Sequence, residues 1–480
     1  MRRRTAVATV PQSGTTGTVQ RPHSITALPC RSRKQHQGIR RLAVALGGAL
    51  VLAGCAHAPL NAPKPAVAVA PNYSFLAQHS KSPEERIVVA LFLSGGGTRA
   101  AALSYGVMSE LSRTALPDGT RLLDKVSTIS AVSGGSFPAA YYCLFGDRLF
   151  ADFEREFLKR DVQGALLARS LSPVGTVRLA SSYFARSDLA AEYYDRILFH
   201  GATYGDLARS PARRPFLVIN ATDMDSFAPF PFTQDTFDLI GSDLAAIPLS
   251  RAVAASSAVP VVLTPITLRN YGGKLPPEIA APATDEPLAP RQELLVLLSH
   301  RYLDPARYPY IHLLDGGLAD NLGLSNLLVA LELAGGWDAL LHNAATGAIP
   351  RQIAIVVVNA ATEPDAEWNR KLETPGLGSV ASALSRNAIN AASQSLLARV
   401  RQSLADWQAH AGPGHPDVHL IAIGFDQLDS AEERAFFNQV PTRFTLPAAT
   451  VDRLIEVGAR LLRESPEFRA LLAGTQAAPR

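Results

Sequence analysis

The sequence predicts an α/β fold with a mainly parallel central sheet covered by helices on both faces, in three layers. Short β-branched apolar runs recur at residues 86–93 (RIVVALFL), 126–132, 216–219, 310–314, 353–358 and 419–423. Helical spacing fills the stretches between them, the pattern of a parallel sheet whose strands are buried on both faces. Two of the runs end in small-residue turns, Ser94-Gly95-Gly96-Gly97 and Ser133-Gly134-Gly135, each followed by a further helical pattern. With 480 residues, 47% apolar and 18% charged, the chain is long and hydrophobic enough to bury a large core.

Residues 1–54 read as a leader. Arg40 and Arg41 abut an eleven-residue apolar run, 42–52, followed by Ala53, Gly54 and Cys55. This is a positive segment, a short hydrophobic segment and a small-residue cleavage site. The run falls short of the roughly 20 residues needed to span a bilayer, and the competing reading is a small buried helix rich in Ala and Gly. Leu52-Ala53-Gly54-Cys55 resembles a bacterial lipobox. That resemblance implies a lipidated Cys55 as mature N-terminus, and Ala56 in place of Asp points to the outer membrane, so the expected location is the cell envelope.

The leader also accounts for the basic balance. The formal charge is +4, but the first 41 residues hold nine Arg and Lys and no acid, leaving 37 bases against 42 acids beyond them. The body therefore has no electrostatic footprint for a nucleic acid. Three cysteines, Cys30, Cys55 and Cys143, make no disulfide scaffold. Residues 55–82, with Pro59, Pro63, Pro65 and Pro71, read as an extended tether without a core of its own.

In the body, 83–330 is expected to hold the chemistry and 331–480 to continue the same domain. Residues 150–209 read as helices with turns, a cap or peripheral bundle, and 268–309 as an insertion over the sheet edge. No repeat of 20–50 residues is visible.

Three short segments supply different catalytic requirements. Ala131-Val132-Ser133-Gly134-Gly135 resembles the G-x-S-x-G nucleophile elbow, with Ala131 at the first Gly and Gly135 at the last. Gly95-Gly96-Gly97 leaves backbone amides unobstructed at a helix N-terminus, a geometry suited to an oxyanion hole. The same glycines also fit a phosphate loop or a plain turn, but no Gly-Lys-Ser/Thr follows, and Ala100 and Ala101 stand where a dinucleotide fingerprint needs glycine. Leu313-Leu314-Asp315-Gly316-Gly317 ends an apolar strand in a carboxylate.

In this order, together with Thr98-Arg99 and Asp320-Asn321-Leu322-Gly323, the segments are similar to the patatin-like phospholipase family over residues 86–330. Residues 218–223 and 252–260 (AVAASSAVP) match its texture. Ser94, Ala100 and Ala131 depart from it. The resemblance implies a three-layer α/β/α hydrolase acting on phospholipid or another acyl ester, without cofactor or metal. It further implies a Ser133–Asp315 dyad, with Gly95, Gly96 and Gly97 around the oxyanion; Arg99 reads as orienting the glycine loop, meeting a lipid phosphate, or standing as a plain helix-surface arginine.

Two other readings stay open. A Ser-His-Asp hydrolase takes Ser133, Asp315 and then His415 or His419. A catalytically silent envelope lipoprotein would bind lipid or a protein partner through the same fold. His312 reads as a satisfied core histidine and Cys143 as a core residue. Asp223 and Asp225 read as loop residues rather than metal ligands, and Asn387, Asn390 and Gln394 as a solvated or partner-facing helix stripe.

Overall fold

The strands found are β1 (Ile87–Leu93), β2 (Val126–Val132), β3 (Phe216–Asp223), β4 (Pro229–Pro231), β5 (Ile266–Arg269), β6 (Tyr310–Asp315), β7 (Gln352–Asn359) and β8 (Asp417–Gly424). They come from a computed structural model that describes residues 60–65, 73–75, 87–210, 214–260, 262–275, 299–344, 350–363, 367–410, 412 and 415–476. The leader, Cys55 and most of 55–82 lie outside the described residues. The sheet runs β5-β6-β3-β2-β1-β7-β8, with β4 paired to β3. From β3 through β8 the neighbours are parallel, whereas β6, β5 and β4 run antiparallel to their partners.

Alternating side chains on the central strands divide between two cores, which is what makes the fold three-layered. On β7, Ala354, Val356 and Val358 join the larger core, while Ile353, Ile355 and Val357 join the smaller one; on β1, Phe92 turns away from Val89, Leu91 and Leu93 in the same way. The helices from the first half are α1 (Gly97–Arg113), α2 (Ser136–Phe145), α3 (Arg148–Phe153), α4 (Val162–Leu171), α5 (Pro173–Leu179), α6 (Arg186–Tyr194), α7 (Tyr204–Arg209), α8 (Gln234–Leu239) and α9 (Leu249–Ser256). Then follow α10 (Gly317–Asp320), α11 (Ser325–Ala334), α12 (Trp337–Ala344), α13 (Leu377–Ala409), α14 (Ala431–Gln439), α15 (Ala448–Glu464) and α16 (Pro466–Gln476). Helices α1, α2, α15 and α16 fill the larger core; α11, α12 and α13 fill the smaller one through Leu328, Leu331, Trp337, Leu396 and Val400. Helix α15 crosses α1 so closely that the Ile455 carbonyl takes the space a side chain on Gly106 would need.

Two expectations need correction. Residues 268–309 do not begin as an insertion, because Leu268 lies in β5, paired to Ile311 of β6. Its four residues alternate buried and half-exposed or exposed, a strand too short and too mixed to stand out as an apolar run. The described parts of the tether are docked rather than free. Asn61 donates to Ser242 Oγ at 2.8 Å and to the Arg269 carbonyl at 2.9 Å. Tyr73 is fully buried, stacks on Phe216 and accepts the Leu217 amide on its hydroxyl at 2.8 Å. A composition argument built on Pro and Ala overlooks what one aromatic ring gains on burial.

Candidate active site

Ser133 follows β2 directly, in left-handed backbone at φ 46°. A non-glycine residue pays roughly 1–3 kcal/mol for such strain, so its surroundings must hold it there. They do. The Ser133 amide donates to Ser256 Oγ at 2.7 Å, Ser256 donates onward to the Asn220 carbonyl at 2.6 Å, and Ser136 Oγ donates to the Ser133 carbonyl. Gly134 is required for a second reason: a Cβ there would lie 2.1 Å from the Gly97 carbonyl oxygen, so only glycine lets the elbow and the glycine loop touch. Gly135 packs on the Leu93 and Ser94 carbonyls, and Ala131 is fully buried in β2.

Strand register brings the carboxylate to the hydroxyl. Val132 pairs with Asn220, which places Ser133 level with Ala221, and Ala221 pairs with Asp315. Although β6 runs antiparallel, it overlaps β3 only through Leu313–Asp315, so its last residue still lies at the carboxyl end of β2 across one intervening strand. Asp315 Oδ2 accepts from Ser133 Oγ at 2.7 Å, and Oδ1 accepts the Gly317 amide at 2.8 Å. Burial pushes the Asp315 carboxyl up to about 6, against the lowering effect of those two bonds. A carboxylate in that range is a better proton acceptor at neutral pH than one in water.

The glycine loop faces this pair at the N-terminus of α1. The Gly95 amide is committed to the Asn321 carbonyl at 3.1 Å and the Thr98 amide to the Arg443 carbonyl at 2.8 Å. Among the described residues, the Gly96 and Gly97 amides have no acceptor in the protein. Gly95 is therefore an anchor of the loop rather than one of its free donors, a correction to the three-glycine expectation. Gly97 sits at φ 61°, and a Cβ on it would lie 2.5 Å from the Arg443 carbonyl oxygen. Asp320 fixes the partner segment by accepting the amides of Leu322, Gly323 and Ser325.

A family model for patatin-like phospholipases matches residues 91–328. Residues 91–328 are a patatin-like phospholipase domain. Among solved structures, human GIVD cytosolic phospholipase A2 is similar at 13% identity and a TM-score of 0.41, over 83% of this chain and 65% of that one. VipD from Legionella pneumophila is similar at 14% identity and a TM-score of 0.33, over 82% and 67%. The chain thus spans slightly under two thirds of the human enzyme. No curated protein matches.

The patatin-like domain leaves no room for Arg99 to reach a lipid phosphate through its Nε and Nη1. These donate to the carbonyls of Ala360 and Val440 at 2.9 and 2.6 Å, and the side chain is buried, so Arg99 braces the glycine loop from behind. Burial, with Arg386 nearby, lowers its guanidinium to about 10, still charged at neutral pH. Neither histidine joins the dyad. His415 stacks on Trp407 and lies 3.8 Å from Asp338, and His419 sits in β8 opposite Ala354, where burial lowers its pKa. His312 is exposed on β6 and bonded to Thr267, not a core residue. Cys143 is buried and its thiol is pushed up by burial, which makes it inert.

Asp223 closes its own loop by accepting from Ser226 Oγ and Tyr302. Among the described residues no group of His, Cys, Asp or Glu is placed to hold a metal, and no helix is long and apolar enough to cross a membrane. A cavity of about 560 Å³ opens at the carboxyl ends of β7 and β8, lined by Asn390 and Gln394 among others, and includes neither Ser133 nor Asp315. Asn390 is not simply solvated: its amide also donates to the Thr362 carbonyl.

The elbow's support was missed. Ser256 and Asn220 fall in the segments noted only for their texture, and a serine with no chemical role of its own carries no separate signal. Arg443 acts through its backbone carbonyl, which its side-chain type cannot announce.

Proposed function

We propose that the protein is a lipid acyl hydrolase that cleaves acyl esters through a Ser133–Asp315 dyad. Ser133 Oγ attacks the ester carbonyl while Asp315 takes its proton, and the Gly96 and Gly97 amides receive the tetrahedral oxyanion. The proton then passes from Asp315 to the leaving alcohol. Water, deprotonated by the same carboxylate, releases the fatty acid and restores Ser133. The observation that carries this reading is the 2.7 Å bond between a strained serine and a buried carboxylate, beside a glycine loop whose Gly96 and Gly97 amides have no acceptor among the described residues.

We further propose that Cys55 is lipidated and holds the protein at a bacterial membrane, the outer one by virtue of Ala56. Five residues, 56–60, separate Cys55 from the docked Asn61, a reach of at most about 22 Å. That short reach would keep the body at the lipid surface.

The test is hydrolysis of a p-nitrophenyl acyl ester and of phospholipid vesicles. Ser133→Ala is expected to lose roughly 10³-fold or more and Asp315→Asn roughly 10²-fold or more, with His415→Ala unchanged. A fluorophosphonate should label the parent on Ser133. A folded parent inactive on both substrates, and unlabelled, would return the silent lipid-binding reading.

A further inference from the structure

Helices α4 and α5 and the turn after them expose apolar side chains that no described residue covers. Leu167 is 60% exposed, Leu171 72%, Val174 70% and Tyr183 70%. Between Asp161, which is bonded to Thr445, and Asp188, which is paired with Arg251, residues 162–187 carry Arg169, Arg178 and Arg186 and no acid. Arg178 is paired with Glu192, whereas Arg186 is exposed and meets no acid among the described residues. An apolar tip with a basic flank is the composition of a surface that enters a lipid interface, and a plain solvated helix pair would not need it.

Its position ties it to the site. At one end, the Gln163 amide and Asp161 carboxylate both bond Thr445 Oγ1, two residues from the Arg443 carbonyl that abuts Gly97. At the other end, Ser187 bonds Thr264, in the loop after Ala258, whose carbonyl takes the Asp315 amide. The segment therefore bridges the two loops that flank the dyad. Val262, 56% exposed, stands in the second of them.

We propose that this face, centred on Leu171 and Val174, docks the protein onto an anionic phospholipid surface and sets the dyad against it. The purpose of the face rests on the lipid-hydrolase reading, but docking itself does not require catalysis. The basic flank selects anionic over zwitterionic lipid, since each cation near such a surface adds attraction that salt screens.

The experiment places a local reporter on the full chain in a Ser133→Ala background with Cys55→Ser to prevent lipidation. Leu171→Trp and Val174→Trp are compared with Leu372→Trp, a fully exposed position elsewhere. With vesicles of phosphatidylcholine containing 30% phosphatidylglycerol (a composition of about this value, chosen to supply negative surface charge), the first two should shift to the blue and be quenched by doxyl-labelled lipid. The signal should weaken on pure phosphatidylcholine, and Leu372→Trp should not respond. In the active chain, Leu171→Glu with Val174→Glu should cut vesicle hydrolysis about tenfold or more and leave the soluble ester within about twofold.

No response at 171 and 174 while the vesicles still bind the protein overturns the proposal, because the leader or another face is then responsible. A dimer that Leu171→Glu dissolves, with no vesicle signal, assigns the face to a second copy instead. Equal signals on both vesicle types remove the anionic preference. A parent inactive on both substrates sinks the hydrolase reading, while the reporter still decides docking.

Discussion

The carboxyl ends of β1 and β2 and those of β7 and β8 lie along one parallel edge of the same sheet, yet they are built differently. At β7 and β8 the edge opens into a polar cavity of about 560 Å³ lined by amides and charges. At β1 and β2 the groups are held in place: a serine at φ 46°, a carboxyl whose pKa is raised by burial, and a loop whose outer amides are bonded while its inner ones have no acceptor among the described residues. Catalysis depends on groups held in place before substrate arrives, so the end that holds Ser133 and Asp315 is where chemistry is expected.

The largest difference should appear on removing reacting groups. Ser133→Ala is expected to reduce ester hydrolysis by roughly 10³-fold or more, whereas Gln394→Ala in the cavity should leave it within about twofold. Comparable losses in both would place the chemistry at the wrong end.

Next comes the loop. Gly97→Ala puts a Cβ 2.5 Å from the Arg443 carbonyl oxygen in a left-handed backbone, and it should lower kcat by about 10²-fold through a displaced amide. Steady-state kinetics with KM little changed would support that cause, and a change confined to KM would contradict it. Arg99→Lys reaches only one of the two carbonyls its guanidinium bridges. It should cost about five- to tenfold in kcat. Arg99→Met should cost more.

The pH profile tests Asp315 alone. With its carboxyl near 6, kcat/KM should rise through that pH as the base ionises and then level off. Stability runs the other way. The folded pKa lies above the unfolded one near 3.8, so the native state holds its proton longer, and stability falls as pH climbs from about 4 to about 6. Asp315→Asn should therefore be more stable than the parent at pH 8, by about 1–3 kcal/mol, with no difference below pH ~4. Denaturant melts at the two pH values measure this, and a variant less stable at pH 8 would refute the burial cost.

The smallest effect concerns a region away from both ends. His415→Ala should leave hydrolysis within about twofold, since its ring is stacked on Trp407 beside Asp338. A large loss there would restore the Ser-His-Asp reading.

Much of this protein was legible from residue order. The apolar runs at 86–93, 126–132, 216–219, 310–314, 353–358 and 419–423 each fell within or along a strand, because a run buried on two faces has few other stable forms. Ser133 and Asp315 stood out because glycines mark where the chain turns sharply after a strand. Strand direction and offset were not legible: hydrophobicity is the same read either way, and only pairing shows that β6 is antiparallel and offset along β3 so that Asp315 lies level with Ser133. Nor were the roles of Gly95 and Arg99, which are decided by acceptors at Asn321, Ala360 and Val440, far away in sequence. Local chemistry named the candidate groups; long-range backbone contacts, to which side-chain identity is nearly blind, decided which of them are held together and which are already bonded.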